Sequence, residues 1–552
     1  MMKRYLLTIL MMTAALAGCG KKEDAGKAAP KKAPASTSGK PTAANTLRIN
    51  IGTEPASLDP SLITGIPENK VMQAIMEPLV YLNAKSEIQP GVAESWDHND
   101  SYTEWTFKLR ANAFWHNGDP VVAGDFVYSV ERMLTKTTGA EYASNVYTFL
   151  KGGREYYDAG GLDSQAKLAG VEAVDAHTLK YHLLNPTPYF PTVVGFSSWL
   201  PLNRNAIEKS GKAWANNADT FVGNGPFRMT SYRSSDKIVA DKFDKYWDSQ
   251  NIFWRQIQFF MISDENTENS AYLSKSLDVT RTVTIPEVNN WKDKKDYYAP
   301  EGLGVYFIMF NNTRPPFDDA RVRKAFSMAI DRDLIVNKVT RRGEKASRGY
   351  IPPAMISQEG GSFRDHAEDL IGPQDIEGAR KLLAEAGYGP NKPVPPIEYM
   401  YNTSDEHRII GEQLQSMWAK GLGVDVKLQN VEWGVLKGRQ HSGDFQFSRS
   451  SWIGDYLDPM TFLELFVSDN SQNDSRMNNK KFDELIEKAR SEPDPIAREK
   501  MLREAEKIII SDEAAMAPLF SYVLAILVNP DLQGIEYNKV GALQFVRARR
   551  QG

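Results

Sequence analysis

Short runs of alternating apolar and polar residues give way repeatedly to helical spacing along this chain. Leu47, Ile49 and Ile51 alternate with polar residues and stop at Gly52, which predicts the first strand of a folded body. Trp105, Phe107 and Leu109 repeat that two-residue period. Asn117-Gly118-Asp119-Pro120 then marks a turn, and Val121 to Met133 carries Phe126, Val130 and Met133 at helical spacing. Glu377 to Ala386 puts Ala379, Leu382, Leu383 and Ala386 on one face, sets Glu377 four residues before Lys381 and stops at Gly387, so a helix is predicted there. Val424, Val426 and Leu428 alternate just downstream, making helix against strand the implied unit and the fold class α/β. Pro55 to Asn69, with three prolines, reads as a long connector, although it is too apolar for a mere linker.

The stretch richest in candidate chemistry is Phe445 to Pro459, FQFSRSSWIGDYLDP. Phe445 and Phe447 alternate with Gln446 and Ser448 as in a half-buried strand, Gly454 breaks the backbone, and Asp455 follows between Trp452 and Tyr456. A carboxylate at a strand end among aromatics is well placed to receive a cation. The same residues also read as a solvated turn begun by Asp458-Pro459, since most acids are exposed.

At 552 residues with 41% hydrophobic and 11% aromatic content, the chain can fill two or three lobes. The net charge of −4 is unevenly spread: the first 46 residues hold 8 Lys or Arg and 2 Asp or Glu, leaving 58 basic and 68 acidic residues, or −10, for the body. An acidic body without a Lys/Arg-rich run argues against nucleic acid as a partner. The only cysteine is Cys19, so no intrachain disulfide can form. Lys3 and Arg4 precede the apolar run Tyr5 to Leu16, which ends in Leu16-Ala17-Gly18-Cys19. This pattern predicts a signal peptide over 1–18 and resembles a lipobox, with Cys19 receiving a lipid anchor; more than one acyl chain makes such anchoring firm. A plain secretory signal with a chance cysteine is the alternative. Residues 19–46 then form a lysine-, alanine- and proline-rich tether without a core.

The seven histidines show no metal-ligand spacing, and neither a G-x-S-x-G elbow nor a phosphate-cradling loop is present, so no cofactor or metal is expected. Ser164-x-x-Lys167 with Ser468-Asp469-Asn470 matches two of the three motifs of penicillin-recognising serine enzymes, a remote acyl-enzyme reading.

Longer motifs carry a resemblance. Gly91-Val92-Ala93-Glu94-Ser95-Trp96, Phe114-Trp115-His116-Asn117-Gly118-Asp119-Pro120-Val121, Asn224-Gly225-Pro226-Phe227, Pro315-Pro316-Phe317-Asp318-Asp319-Ala320-Arg321, Leu382-Leu383-Ala384-Glu385-Ala386-Gly387-Tyr388 and Tyr401-Asn402-Thr403-Ser404-Asp405 resemble the peptide-binding subunits of ATP-driven (ABC) importers, the family of the periplasmic oligopeptide-binding protein. The likeness runs from about Leu47 nearly to the end. It implies a three-lobed periplasmic-binding-protein fold: a base lobe from 47–77, 201–305 and 517–552, an inserted lobe over 78–200 and a second main lobe over 306–516, with strands near Val305–Phe310 and Pro518–Val528 crossing as the hinge. It implies a monomeric, extracytoplasmic binder, in the periplasm or at the cell surface, that is not an enzyme. Such a protein captures oligopeptides as an added strand between closing lobes and hands them to a membrane permease. Murein-peptide, haem or metal-chelate binders are known on the same scaffold.

Residue by residue, the resemblance makes Asp455 the partner of the peptide α-ammonium. Arg449 and His407 match residues that meet the carboxylates of longer peptides, and Asn402 lies on the same matched segment. Trp433, Trp452, Tyr142 and Tyr522 fall at positions lining the peptide pockets. A family lysine for short peptides falls at Thr340, where Arg341 and Arg342 are the candidate substitutes, and Thr64 stands where the best-known relative has an acid.

Overall fold

The computed structural model describes residues 40–551. The signal peptide, Cys19 and most of the tether lie outside the described residues. The folded body begins with the strand Thr46–Asn50, in which Leu47 and Ile49 are fully buried as their alternation predicts. That strand is the edge of a four-stranded sheet and runs parallel to Gln256–Phe260, which continues antiparallel to Lys237–Lys242 and then Phe227–Arg233. A second four-stranded sheet, wholly antiparallel, orders Ala93–His98, Glu104–Leu109, Thr178–His182 and Val171–Asp175. Trp105, Phe107 and Leu109 all point into its core, against the helix Ala123–Met133 that buries Phe126, Val130 and Met133.

The largest sheet has six strands, in the order Lys345–Ala346, Met516–Val523, Glu301–Phe310, Phe447–Ile453, Ile397–Asn402 and Val426–Val431. Its central strand, Glu301–Phe310, is buried at every position after Glu301, the continuous apolar run of a strand covered on both faces. Because successive side chains point to opposite faces, Tyr306, Ile308 and Phe310 enter one hydrophobic core while Val305, Phe307 and Met309 enter another. One strand thereby ties two cores together. The predicted helix forms as Ile376–Glu385, capped by Asp375 Oδ1, which accepts from the Gly378 amide at 2.8 Å, and it buries Ala379 and Leu383. No helix among the described residues is long and apolar enough to cross a membrane.

The expected connector Pro55–Asn69 is shorter than read. A helix starts at Ile66, because Pro67 falls in its first turn, where a missing N–H costs nothing. The remaining loop is pinned through Asp59, which accepts two bonds from the Arg132 guanidinium (2.8 and 2.6 Å) and one from Trp214 Nε1 at 3.0 Å. Gly52, just past the end of the first strand, has φ +90°, and a Cβ there would sit 2.1 Å from Arg281 Cδ. Gly52→Ala is therefore expected to cost about 1–2 kcal/mol from the left-handed backbone alone, with displacement of Arg281 in addition; equal melting midpoints for variant and wild type would contradict this.

Candidate functional site

A cavity of about 570 Å³ borders the six-stranded sheet, which contributes Phe307, Met309, Asn402, Arg449 and Tyr522 to its wall, and its size is within the range of sites that hold drug-sized ligands. The strand Phe447–Ile453 carries its wall. Phe447 is fully buried and Arg449 is 8% exposed, whereas residues 450–453 are half-buried because they leave the core and border the cavity. Gly454 allows the chain to turn: its amide donates to Leu303 O at 2.8 Å, and a Cβ would lie 2.8 Å from Leu303 Cδ2. Beyond it the backbone is tied down by the Asp455 amide donating to Thr461 Oγ1 at 3.0 Å and by the buried pair Arg498–Asp458 at 2.6 Å. Asp458 does begin a turn, but a buried, ion-paired one.

Asp455 lines the cavity, half-buried by area since its carboxylate faces that internal space. Tyr142 Oη donates to its Oδ2 at 3.1 Å. Among the described residues no basic side chain pairs with it. Desolvation pushes its pKa well above the ordinary 3.8, the Tyr142 bond opposes this, and Glu464 adds repulsion. The cavity thus holds a costly carboxylate that an incoming cation would relieve. Tyr142 also stacks on Trp452, ring centroids 6.4 Å apart.

A cationic region occupies another part of the wall. Arg449 donates through Nη1 to Asn402 Oδ1 (3.3 Å) and through Nη2 to Tyr522 Oη (3.1 Å), and its guanidinium lies 5.1 Å from the centroid of the Tyr306 ring. Its Nε has no partner and no carboxylate pairs with it among the described residues. His407, in the first turn of the helix Asp405–Leu422, lies 3.4 Å from Tyr306 Oη through Nδ1. Burial, then the charges of Arg449, Arg281 and Arg342, drive its pKa well below 6.5, so His407 contributes a hydrogen bond and leaves the positive charge to Arg449.

Of the nine residues singled out for ligand binding, eight line this one cavity: Asp455, Arg449, His407, Asn402, Trp433, Trp452, Tyr142 and Tyr522. Arg341 is the exception. It is exposed, with φ +56° at the end of the π-helical turn Ile335–Thr340, and Arg342 reaches the cavity in its place, bound to Glu406 at 2.8 Å. The left-handed residue reverses the chain, sending adjacent side chains opposite ways. Thr340 is fully buried outside the cavity wall, whereas Thr64 lines it. Ser164 closes a turn on Gly161 O at 2.7 Å, Lys167 is exposed, and neither Ser164 nor Ser468 borders the cavity. The charged cavity residues that the motifs did not indicate include Lys70, Arg281 and Glu406. Each is an ordinary charged residue in sequence; only the position of Lys70 four residues before the buried Ala74 hints that it faces inward.

Contacts made by cavity residues join distant parts of the chain. Ser404 Oγ donates to Glu265 Oε1 at 2.9 Å, and Arg342 donates through Nη2 to Val283 O at 2.6 Å. The family model for bacterial extracellular solute-binding proteins, family 5, middle part, matches residues 87–474. The dipeptide-binding protein DppE of Bacillus subtilis is 36% identical over 537 residues, 97% of this chain and 96% of its own. A structure of the Escherichia coli murein tripeptide-binding protein MppA superposes with a TM-score of 0.85 at 35% identity, covering 92% of this chain and 98% of that one. The unliganded open form of MppA, at the same identity and with 92% and 97% covered, gives only 0.62. At equal sequence likeness the backbone of this chain is therefore closer to the first MppA structure than to that open form. With its α/β sheets, enclosed cavity and chain-long similarity, this protein belongs to the family 5 bacterial extracellular solute-binding proteins.

Proposed function

We propose that the protein is the extracytoplasmic substrate-binding subunit of an ATP-driven importer and captures short peptides in the cavity. The observation that carries this reading is Asp455, an unpaired carboxylate in the same enclosed space as the carboxylate-free Arg449. The two suit opposite ends of a zwitterionic peptide, and Trp433 and Trp452, which line the same cavity, offer apolar surface for side chains of many kinds. The resemblance to DppE and MppA supports a peptide ligand. Calorimetry with a tripeptide and its N-acetylated form tests the reading: the free amine is expected to bind more tightly, and equal affinities would remove Asp455 from this role.

The charge of Asp455 makes binding pH-dependent. Burial in the free protein favours the protonated form of Asp455, while a bound ammonium needs the carboxylate ionised. Peptide binding should therefore release a proton and weaken as pH falls through the free-state pKa. Calorimetric enthalpies measured in two buffers of different ionisation enthalpy check this, and identical enthalpies throughout the acid range would count against it.

Arg449→Met is expected to weaken binding of a free tripeptide more than that of its C-terminal amide, because the guanidinium would face the terminal carboxylate. A uniform loss for both would argue against that placement. The likeness to MppA favours a murein peptide as the second reading. Native mass spectrometry of protein purified from cells separates a ladder of peptides from one discrete adduct.

The lobes we assign are those expected from sequence: 47–77 with 201–305 and 517–552 as the base, 78–200 as the insert and 306–516 as the second main lobe. A four-stranded sheet within the base and another within the insert support the division, while the sheet of the second main lobe also takes in Met516–Val523. The strands Glu301–Phe310 and Met516–Val523, paired antiparallel, are suited to carry the hinge. A lipid on Cys19 would hold the protein at a membrane beside its permease; detergent-phase partitioning that survives Cys19→Ser would refute that anchor.

A further inference from the structure

Most charges on the cavity wall are answered by the protein itself. Arg281 meets Glu265 at 3.3 Å, Arg342 meets Glu406 at 2.8 Å and Lys437 meets Asp474 at 3.5 Å. Glu77 has no ionic partner but accepts hydrogen bonds from Tyr246 Oη and Trp247 Nε1; Asp455 and Arg449 also lack ionic partners, and a peptide with neutral side chains would use both. One further cation is then left over. Lys70 lines the cavity, is 6% exposed, and makes no hydrogen bond or ion pair among the described residues.

Its position is built rather than incidental. Lys70 is held on the helix Ile66–Ile75, whose Val71 and Ala74 are fully buried, so the stem cannot swing out to bulk solvent. Lysines usually bury the stem and leave the ammonium in water; here the opening available to the ammonium is the ligand cavity. Glu268, the carboxylate that acts on it, lies beyond ion-pair range and is already held by Asn50 Nδ2 at 2.8 Å and by the Arg281 amide. Arg281 adds repulsion, and burial, the largest influence, lowers the Lys70 pKa to about 8, which leaves it charged at neutral pH.

Resting on the peptide reading above, we infer that the cavity is matched to short peptides carrying a second carboxylate, and that Lys70 receives it. The peptide ends engage Asp455 and Arg449, and an acidic side chain completes the charge balance at Lys70. A charge-assisted contact of this kind favours the acid over its amide by about tenfold or more.

The test uses three pairs of tripeptides, with glutamate or glutamine at the first, second or third position and alanine elsewhere, titrated into wild type, Lys70→Met and Lys70→Arg. At least one pair is expected to favour the glutamate member about tenfold in wild type. That ratio should fall to about one in Lys70→Met and be partly kept in Lys70→Arg. Met is close in shape and removes a buried cation, so its melting point should be at or above that of wild type. A glutamate-to-glutamine ratio of about one at all three positions overturns the inference, as does a preference that survives Lys70→Met. Failure of every peptide, glutamine members included, would instead overturn the peptide reading itself, and this inference with it.

Discussion

Asp455→Asn is expected to weaken binding of a free tripeptide by about tenfold to 150-fold, the range for a hydrogen bond to a charged group. Against the N-acetylated peptide the loss should be much smaller, because that ligand brings no ammonium. The variant should also gain stability in the absence of peptide. Burial raises the Asp455 pKa in the folded protein above its unfolded value, so the folded state holds that proton more tightly. Apo stability consequently falls as pH rises from the ordinary carboxylate range through the raised pKa. Asparagine removes this penalty at neutral pH and has nothing to remove in strong acid, where both states are protonated. The expected signature is a higher apo melting point at neutral pH together with a lower affinity. If the variant were less stable at neutral pH, or bound both peptides as wild type does, Asp455 would be structural rather than the ammonium partner.

The second large effect is in the core that supports this wall. Phe447 is fully buried and its ring lies within 4.7–6.2 Å, centroid to centroid, of those of Phe310, Phe317, Phe326, Tyr399 and Trp418. Phe447→Ala should cost about 3–5 kcal/mol, through lost transfer energy and an unfilled cavity among rings fixed by their own strands and helices. Phe447→Leu keeps most of the volume and should cost markedly less. Denaturant unfolding measures both; a loss below about 1 kcal/mol for alanine would mean that the site collapses to fill itself. Because Phe447 begins the strand that presents Arg449 and Trp452, weaker peptide binding should accompany the loss of stability, whereas Asp455→Asn separates the two in opposite directions.

Much of the local structure was legible. The alternation of Leu47 with Ile49 and of Trp105 with Phe107 and Leu109 identified strands because one face of each is buried, and Gly387 stops a helix where it was expected. The connector was misread at Pro67, since a proline in a helix's first turn looks the same in sequence as one in a loop. The double role of the central strand was hidden as well: Val305 to Phe310 is apolar throughout, and only the packed structure shows that its two faces serve different cores.

The motifs led to eight cavity residues, yet they misplaced one by a single position. Arg341 and Arg342 are equivalent as composition, and the left-handed backbone at Arg341 sends one outward and the other to Glu406. Charge neutralisation was equally out of reach. Asp455 and Asp458 stand three residues apart in similar company, but Arg498, forty positions later, pairs with Asp458 and leaves Asp455 free.

From the chain alone came the α/β class, the family likeness, the acidic body and the choice of the acid and arginine proposed to meet a peptide, since these depend on periodicity and on side-chain chemistry that each residue carries with it. Tertiary structure alone decided which charges are spent internally and which are left for a ligand. An ion pair depends on distances of a few ångströms between residues far apart in sequence, and Lys70 is an ordinary helical lysine until folding encloses it without a partner.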